Sequence, residues 1–68
     1  MHIVILNGNS GQPVSWGSEQ ECKDWLIGKA RIFAGTDQHQ YEQYVHSIAD
    51  EGTLVTENPY RNYKIKEV

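Results

Sequence analysis

The sequence lacks the features that usually reinforce so small a protein. Its one cysteine, Cys22, cannot form an internal disulfide, and its few histidines do not stand at the spacings of a metal site. The longest apolar run, residues 3–6, is far shorter than the roughly 20 residues of a membrane span. We therefore expect a cytoplasmic protein without a metal, a cofactor or a membrane contact.

Positive charge is missing over a long stretch. No Lys or Arg lies from residue 32 to residue 60, and the whole chain has a formal net charge of −3. Proteins that bind nucleic acid are normally basic, because affinity grows with the number of phosphates neutralised. The charge balance therefore favours a protein with a basic surface as the partner, and nucleic acid is the less favoured class.

What is present predicts a folded α+β domain. Hydrophobic residues make up 38% of the chain and aromatic residues 10%, which is enough for one small core. Residues 2–6 are typical of a central strand covered on both faces, and residues 13–16 alternate like a strand with its proline at the start or on an edge. Residues 53–57 and 63–67 predict two more strands. We predict a single compact domain over residues 1–68, ordered ββααββ, with an antiparallel sheet packed against two helices.

The first predicted helix has an explicit start signal. Ser18-Glu19-Gln20-Glu21 fits a capping box, in which the serine caps the helix and the second glutamate reaches back to the cap amide. The helix is expected to end near Gly28, which leaves residues 29–35 undecided between helix and strand. Its apolar face is predicted to comprise Cys22, Trp25, Leu26 and Ala30.

The second predicted helix is the clearest element of the sequence. Thr36 or Asp37 caps its start, and Gly52 is expected to stop it. The apolar residues recur at positions i, i+3, i+4 and i+7, which indicates one buried face. They are Tyr41, Tyr44, Val45 and Ile48.

The stretch Gly8-x-x-Gly11 poses the question of a phosphate-binding loop. Such a loop needs a helix directly after the glycines and usually a lysine followed by Ser or Thr, whereas here a proline and a strand intervene. The backbone clamp of KH domains joins two helices, which this context does not offer. A hairpin turn needs only residues that tolerate tight turns, and this is our interpretation.

Catalytic groups are equally hard to assemble. His39 and His46 share a rough helix face with Glu42 between them, but they lie two helical turns apart, so a solvated polar face is favoured over a metal site. Cys22 lies on an apolar face, where an inert buried thiol is usual. We therefore expect that the protein is not an enzyme.

Three sets of residues remain as candidates for binding a partner. The first is an acidic face, the second a group of apolar anchors about Gly28, and the third a C-terminal strand that interleaves aromatic and cationic residues, as a platform for single-stranded nucleic acid would. Alternatively, the lysines of the third set protect an edge strand from pairing with another chain. The acidic face is Asp37, Glu42, Asp50, Glu51 and Glu57. The apolar anchors are Trp25, Ile32 and Phe33, and the C-terminal set is Tyr60, Arg61, Tyr63, Lys64 and Lys66.

The sequence thus favours a small acidic protein-binding module that modulates or inhibits a macromolecular partner. In size, charge and lack of catalytic groups, the chain resembles the accessory proteins with which phages and mobile elements bind and block host proteins. The alternatives are a nucleic-acid-binding accessory domain that uses the C-terminal strand and a homo-oligomeric structural module, of which a homodimer is the simplest form.

Overall fold

A computed structural model describes residues 1–7, 11–56 and 62–68. The strands form one antiparallel sheet in the order β2-β1-β4-β3, and the predicted α+β class is confirmed. Gly8, Glu57, Tyr60 and Arg61 lie outside the described residues. The elements are β1 His2–Asn7, β2 Pro13–Gly17, α1 Glu19–Ala34, α2 Gln38–Glu51, β3 Thr53–Leu54 and β4 Asn62–Glu67.

Strand β1 lies at the centre of the sheet, as predicted, because it pairs with β2 on one side and β4 on the other. It pairs antiparallel with β2, as the two strands of a hairpin do, while residues 8–10 of the predicted turn lie outside the described residues. Pro13 begins β2, which is an edge strand of the sheet. The amide of Val68 donates to the carbonyl of Met1 over 3.0 Å. The two ends of the described chain are therefore held side by side.

Only one face of the sheet is covered by helices. Val4, Leu54 and Tyr63 are buried toward the helices, whereas their neighbours along the strands point to the opposite side. Helices α1 and α2 are joined by residues 35–37 alone, so they pack beside each other on the same face. The expectation that β1 is covered on both faces is therefore wrong.

Helix α1 is longer than predicted. The capping box is confirmed, since the Ser18 hydroxyl accepts from the Glu21 amide and the Glu21 side chain accepts from the Ser18 amide. The helix passes through Gly28 without interruption and ends at Gly35 instead. The predicted end near Gly28 is wrong because the buried row of Leu26, Ala30 and Ala34 stabilises the last two turns against the cost of one glycine.

Replacing Gly28 with alanine is expected to raise the free energy of unfolding by about 0.5–1 kcal/mol, because alanine restricts the unfolded chain and favours the helix. A Cβ atom at Gly28 would meet no atom within 4 Å. Urea denaturation followed by circular dichroism measures the change. Gly52, which has a φ of +67°, is the control, because alanine is strained there and should destabilise the protein. A loss of stability in Gly28→Ala would contradict the prediction.

Helix α2 begins and ends as predicted, with Asp37 as its cap and Gly52 in the left-handed conformation at its end. Strand β3 is shorter than predicted, since it ends at Leu54 and Val55 and Thr56 lie outside the strand. The core forms between α1, the inner side of α2 and the covered face of the sheet. It comprises Val4, Cys22, Leu26, Ala30, Ile48, Leu54 and Tyr63.

Candidate functional site

The outer side of α2 carries an exposed polar stripe. Glu42, His46 and Asp50 recur at intervals of four residues and therefore share one face. Nδ1 of His46 lies 2.9 Å from Oδ2 of Asp50, and Oε1 of Glu42 accepts from Gln38 over 3.4 Å. The carboxylates stand in water, so their charges face any approaching molecule.

An apolar depression of about 320 Å³ runs beside this stripe. Its floor consists of Tyr41, Val45 and Ala49, and the stripe residues Glu42 and His46 form its rim. Val45, predicted to face the core, instead lines this depression, half-buried. An apolar depression with an acidic rim can accept an aliphatic side chain from a surface that is otherwise basic.

A second depression, of about 280 Å³, lies where the start of α1 and the end of α2 meet the edge of β1 and β4. Four carboxylates line it, with His2 and Lys23 as the basic groups. Asp50 and Glu51 were predicted binding residues, whereas Glu19 and Glu67 were not, because only folding brings the two ends of the chain here. The four are Glu19, Asp50, Glu51 and Glu67, and together with Glu42 they are called the acidic surface below.

The cations of α1 are engaged within the helix layer. Lys23 pairs with Glu19 over 3.4 Å and reaches the carbonyl of Ala49. The Arg31 guanidinium lies 3.6 Å from the centre of the Tyr41 ring, and Lys29 lies over Trp25 at 5.2 Å. Of these contacts only the Lys23–Glu19 pair neutralises a carboxylate, and neither Glu42 nor Asp50 pairs with Lys or Arg among the described residues.

The other predicted acidic residues have local structural partners. The Asp37 carboxylate caps α2 by accepting from the Gln40 amide over 3.0 Å, so a substitution there would weaken the helix as well as any binding. Glu51 accepts from the Thr53 hydroxyl over 3.4 Å. The structure thus groups Asp50 and Glu51 in one depression and separates Asp37 from them at the far end of α2.

The three predicted apolar anchors are not equivalent. Trp25 packs edge-on against Tyr63 with ring centres 5.5 Å apart, and Phe33 stacks on the same ring at 6.2 Å. Both are partly buried against the core, whereas Ile32 is 69% exposed. Ile32 alone offers most of its side chain to a partner.

The predicted C-terminal platform is divided between the two faces of β4. Tyr63 is buried, with 7% of its surface exposed, so its ring is not available to stack on a base. Lys64 and Lys66 are exposed on the opposite side, because side chains alternate between the two faces along a strand. The other two members of this set, Tyr60 and Arg61, lie outside the described residues.

An exposed tryptophan shares the uncovered side of the sheet with these lysines. Trp16 is 62% exposed, and the register places it beside Ile3 and, one strand further, Lys66. The alternation of side chains along β2 predicts that Trp16 and Ser15 lie on opposite faces of the sheet. It does not predict which of these faces the helices cover. This is why sequence reasoning did not single out Trp16.

Cys22 and the metal-ligating side chains are the remaining groups of chemical interest among the described residues. Burial raises the pKa of the Cys22 thiol, and the Glu21 carboxylate adds to this effect, so the thiol is protonated near neutral pH. Among residues 1–7, 11–56 and 62–68, no three His, Cys, Asp or Glu side chains are grouped to hold a metal ion. Within the same residues, no helix has the length and apolar character needed to cross a bilayer.

Neither a protein-family model, nor a curated protein, nor a solved structure matches this chain.

Proposed function

We propose that this protein is a non-catalytic, cytoplasmic binding module that docks its acidic surface on a basic patch of another protein and thereby modulates or inhibits that partner. A phage or mobile-element accessory protein acting on a host protein is the biological setting that we propose. One observation carries the proposal: Asp50 lines the carboxylate-lined depression and shares a helix face with Glu42 and His46, the two residues that rim the apolar depression.

The arrangement supplies the two components of a protein interface. Carboxylates in water attract a basic surface over a distance of about one Debye length, which is about 8 Å at physiological salt, and so raise the rate of association. The apolar floor of Tyr41, Val45 and Ala49 then offers area that a partner side chain can bury. Isologous pairing of two copies through this surface would place carboxylates against carboxylates, which disfavours a homodimer here.

Reversal of one central charge tests the proposal. Asp50→Lys is expected to weaken partner binding about tenfold or more, because an attractive contact becomes a like-charge contact. Asp24→Lys is the matched control: it makes the same change of net charge on an exposed part of α1 outside the acidic surface. The tagged protein is used to capture the partner from nuclease-treated lysate, and calorimetry then compares the purified partner's affinity for the three proteins.

Equal affinity of the wild type and Asp50→Lys, or an equal loss in Asp24→Lys, would contradict the proposal. Loss of every captured protein after nuclease treatment would also contradict it. Circular dichroism of each variant establishes that the fold is retained, so that a loss of binding reports on the surface.

A further inference from the structure

The uncovered side of the sheet, here called the open face, has a composition unlike that of the helix layer. It comprises Ile3, Ile5, Trp16, Lys64 and Lys66, which the strand register places on one side. The two isoleucines are half-buried, while the tryptophan and both lysines are exposed. A flat apolar strip thus separates an aromatic ring on one strand from two cations on another.

The charges of the open face are unbalanced. No described strand carries Asp or Glu on this side, since Glu67 pairs with His2 on the helix side. One carboxylate reaches the edge of the face, because Glu51 accepts from the hydroxyl of Thr53, the residue paired with Lys64. Lys64 and Lys66 make no ion pair with the described residues, whereas Lys23, Lys29 and Arg31 are each engaged on the helix layer. The open face is therefore complementary to an anion that also presents a planar apolar group.

The spacing suits a short segment of single-stranded nucleic acid. Adjacent strands lie about 4.8 Å apart and residues rise about 3.3 Å along a strand. Trp16 and Lys66 are therefore about 10 Å apart across β1, and Lys64 lies about 7 Å from Lys66. A base stacked on the indole would leave the neighbouring phosphates within reach of the two flexible lysines.

The small area of the open face disfavours a protein as its partner. Four strands, one of them only two residues long, give a face of roughly 300–400 Å², below the about 800 Å² per partner of a standard protein interface. A two-fold axis across the strands would set the lysines of two copies against each other, so self-association of this face is an outcome that the experiment below also tests. We infer that the open face is a binding site for two or three nucleotides of single-stranded nucleic acid, with Trp16 stacking on a base and Lys64 and Lys66 contacting phosphates.

Quenching of Trp16 fluorescence by a deoxythymidine oligomer at low ionic strength tests the inference. The titration uses the Trp25→Phe protein, in which Trp16 is the only tryptophan, and the indole N–H resonance of Trp16 in the wild type provides a second readout. Trp16→Ala, followed by the amide resonances, is expected to weaken binding about tenfold or more. The logarithm of affinity should fall with that of salt concentration with a slope of about −1.4 for two phosphate contacts.

Two double variants of equal net charge distinguish binding at the open face from a general effect of the protein's net charge. Lys64→Gln with Lys66→Gln is expected to abolish most of the salt dependence, whereas Lys23→Gln with Lys29→Gln, which has the same net charge, should bind almost as the wild type does. Equal loss in both pairs, absence of quenching, or equal affinity for polyglutamate would overturn the inference. The last outcome would assign the face to an acidic protein. Because Asp50 lies on the other layer, these results are independent of the proposed acidic interface.

Discussion

Replacing Leu26 with alanine is expected to lower the free energy of unfolding by about 2–5 kcal/mol. The side chain is fully buried at the centre of α1 and belongs to the single described core, so its removal loses apolar burial and leaves a cavity. At about 0.05–0.15 kcal/mol per residue, a chain of this length has about 3–10 kcal/mol in total. The variant should therefore be marginally stable or unfolded at room temperature.

Urea denaturation followed by circular dichroism measures this loss. Ile32→Ala is the control, because Ile32 lies on the same helix but is 69% exposed. It should change the stability by no more than about 0.5 kcal/mol. Similar losses in the two variants would show that the core is not arranged as described.

Tyr63→Ala is expected to cost about 3–5 kcal/mol, the range for removal of a large buried ring. The ring contacts Trp25 and Phe33, so three aromatic side chains lose packing with one substitution. Tyr63 was predicted as a nucleic-acid contact, and this experiment distinguishes a residue that holds the fold from one that holds a ligand.

Tyr63→Phe is the conservative control, and equilibrium unfolding of both variants is the measurement. The phenylalanine keeps the ring, and the Tyr63 hydroxyl has no hydrogen bond to the described residues, so the change should be less than about 1.5 kcal/mol. If Tyr63→Ala were as stable as the wild type, the ring would not belong to the core. The assignment of Lys64 and Lys66 to the opposite face of β4 would then be wrong as well.

The acidic surface and the two exposed lysines of the open face lie on opposite layers of the protein. The net charge of −3 suggests repulsion from any polyanion, yet the acidic groups of the described chain lie on the helix side and in the cap of α2, and the open face presents two lysines. The sheet lies between these lysines and the acidic surface, so the charges that an approaching molecule meets depend on the layer it approaches. This separation is why total charge is a poor guide to the partners of a two-layer protein.

Sequence patterns predicted well wherever the determining interactions are local. The capping box at Ser18, the cap at Asp37 and the stop at Gly52 each involve groups within four residues, and the alternation of β4 follows from backbone geometry. Gly28 misled the prediction because its local preference opposes the helix, whereas tertiary burial of Ala30 and Ala34 favours it.

The sequence by itself determined the element order, the two helix starts and the side of each strand on which a residue lies, because these depend on neighbours in the chain. Only the tertiary structure decided which side of the sheet the helices cover, and hence that Trp16 is exposed while Tyr63 is buried. It also brought Glu19 and Glu67 to Asp50 from opposite ends of the chain. Both outcomes depend on how the layers pack, which is a property of contacts between residues distant in sequence.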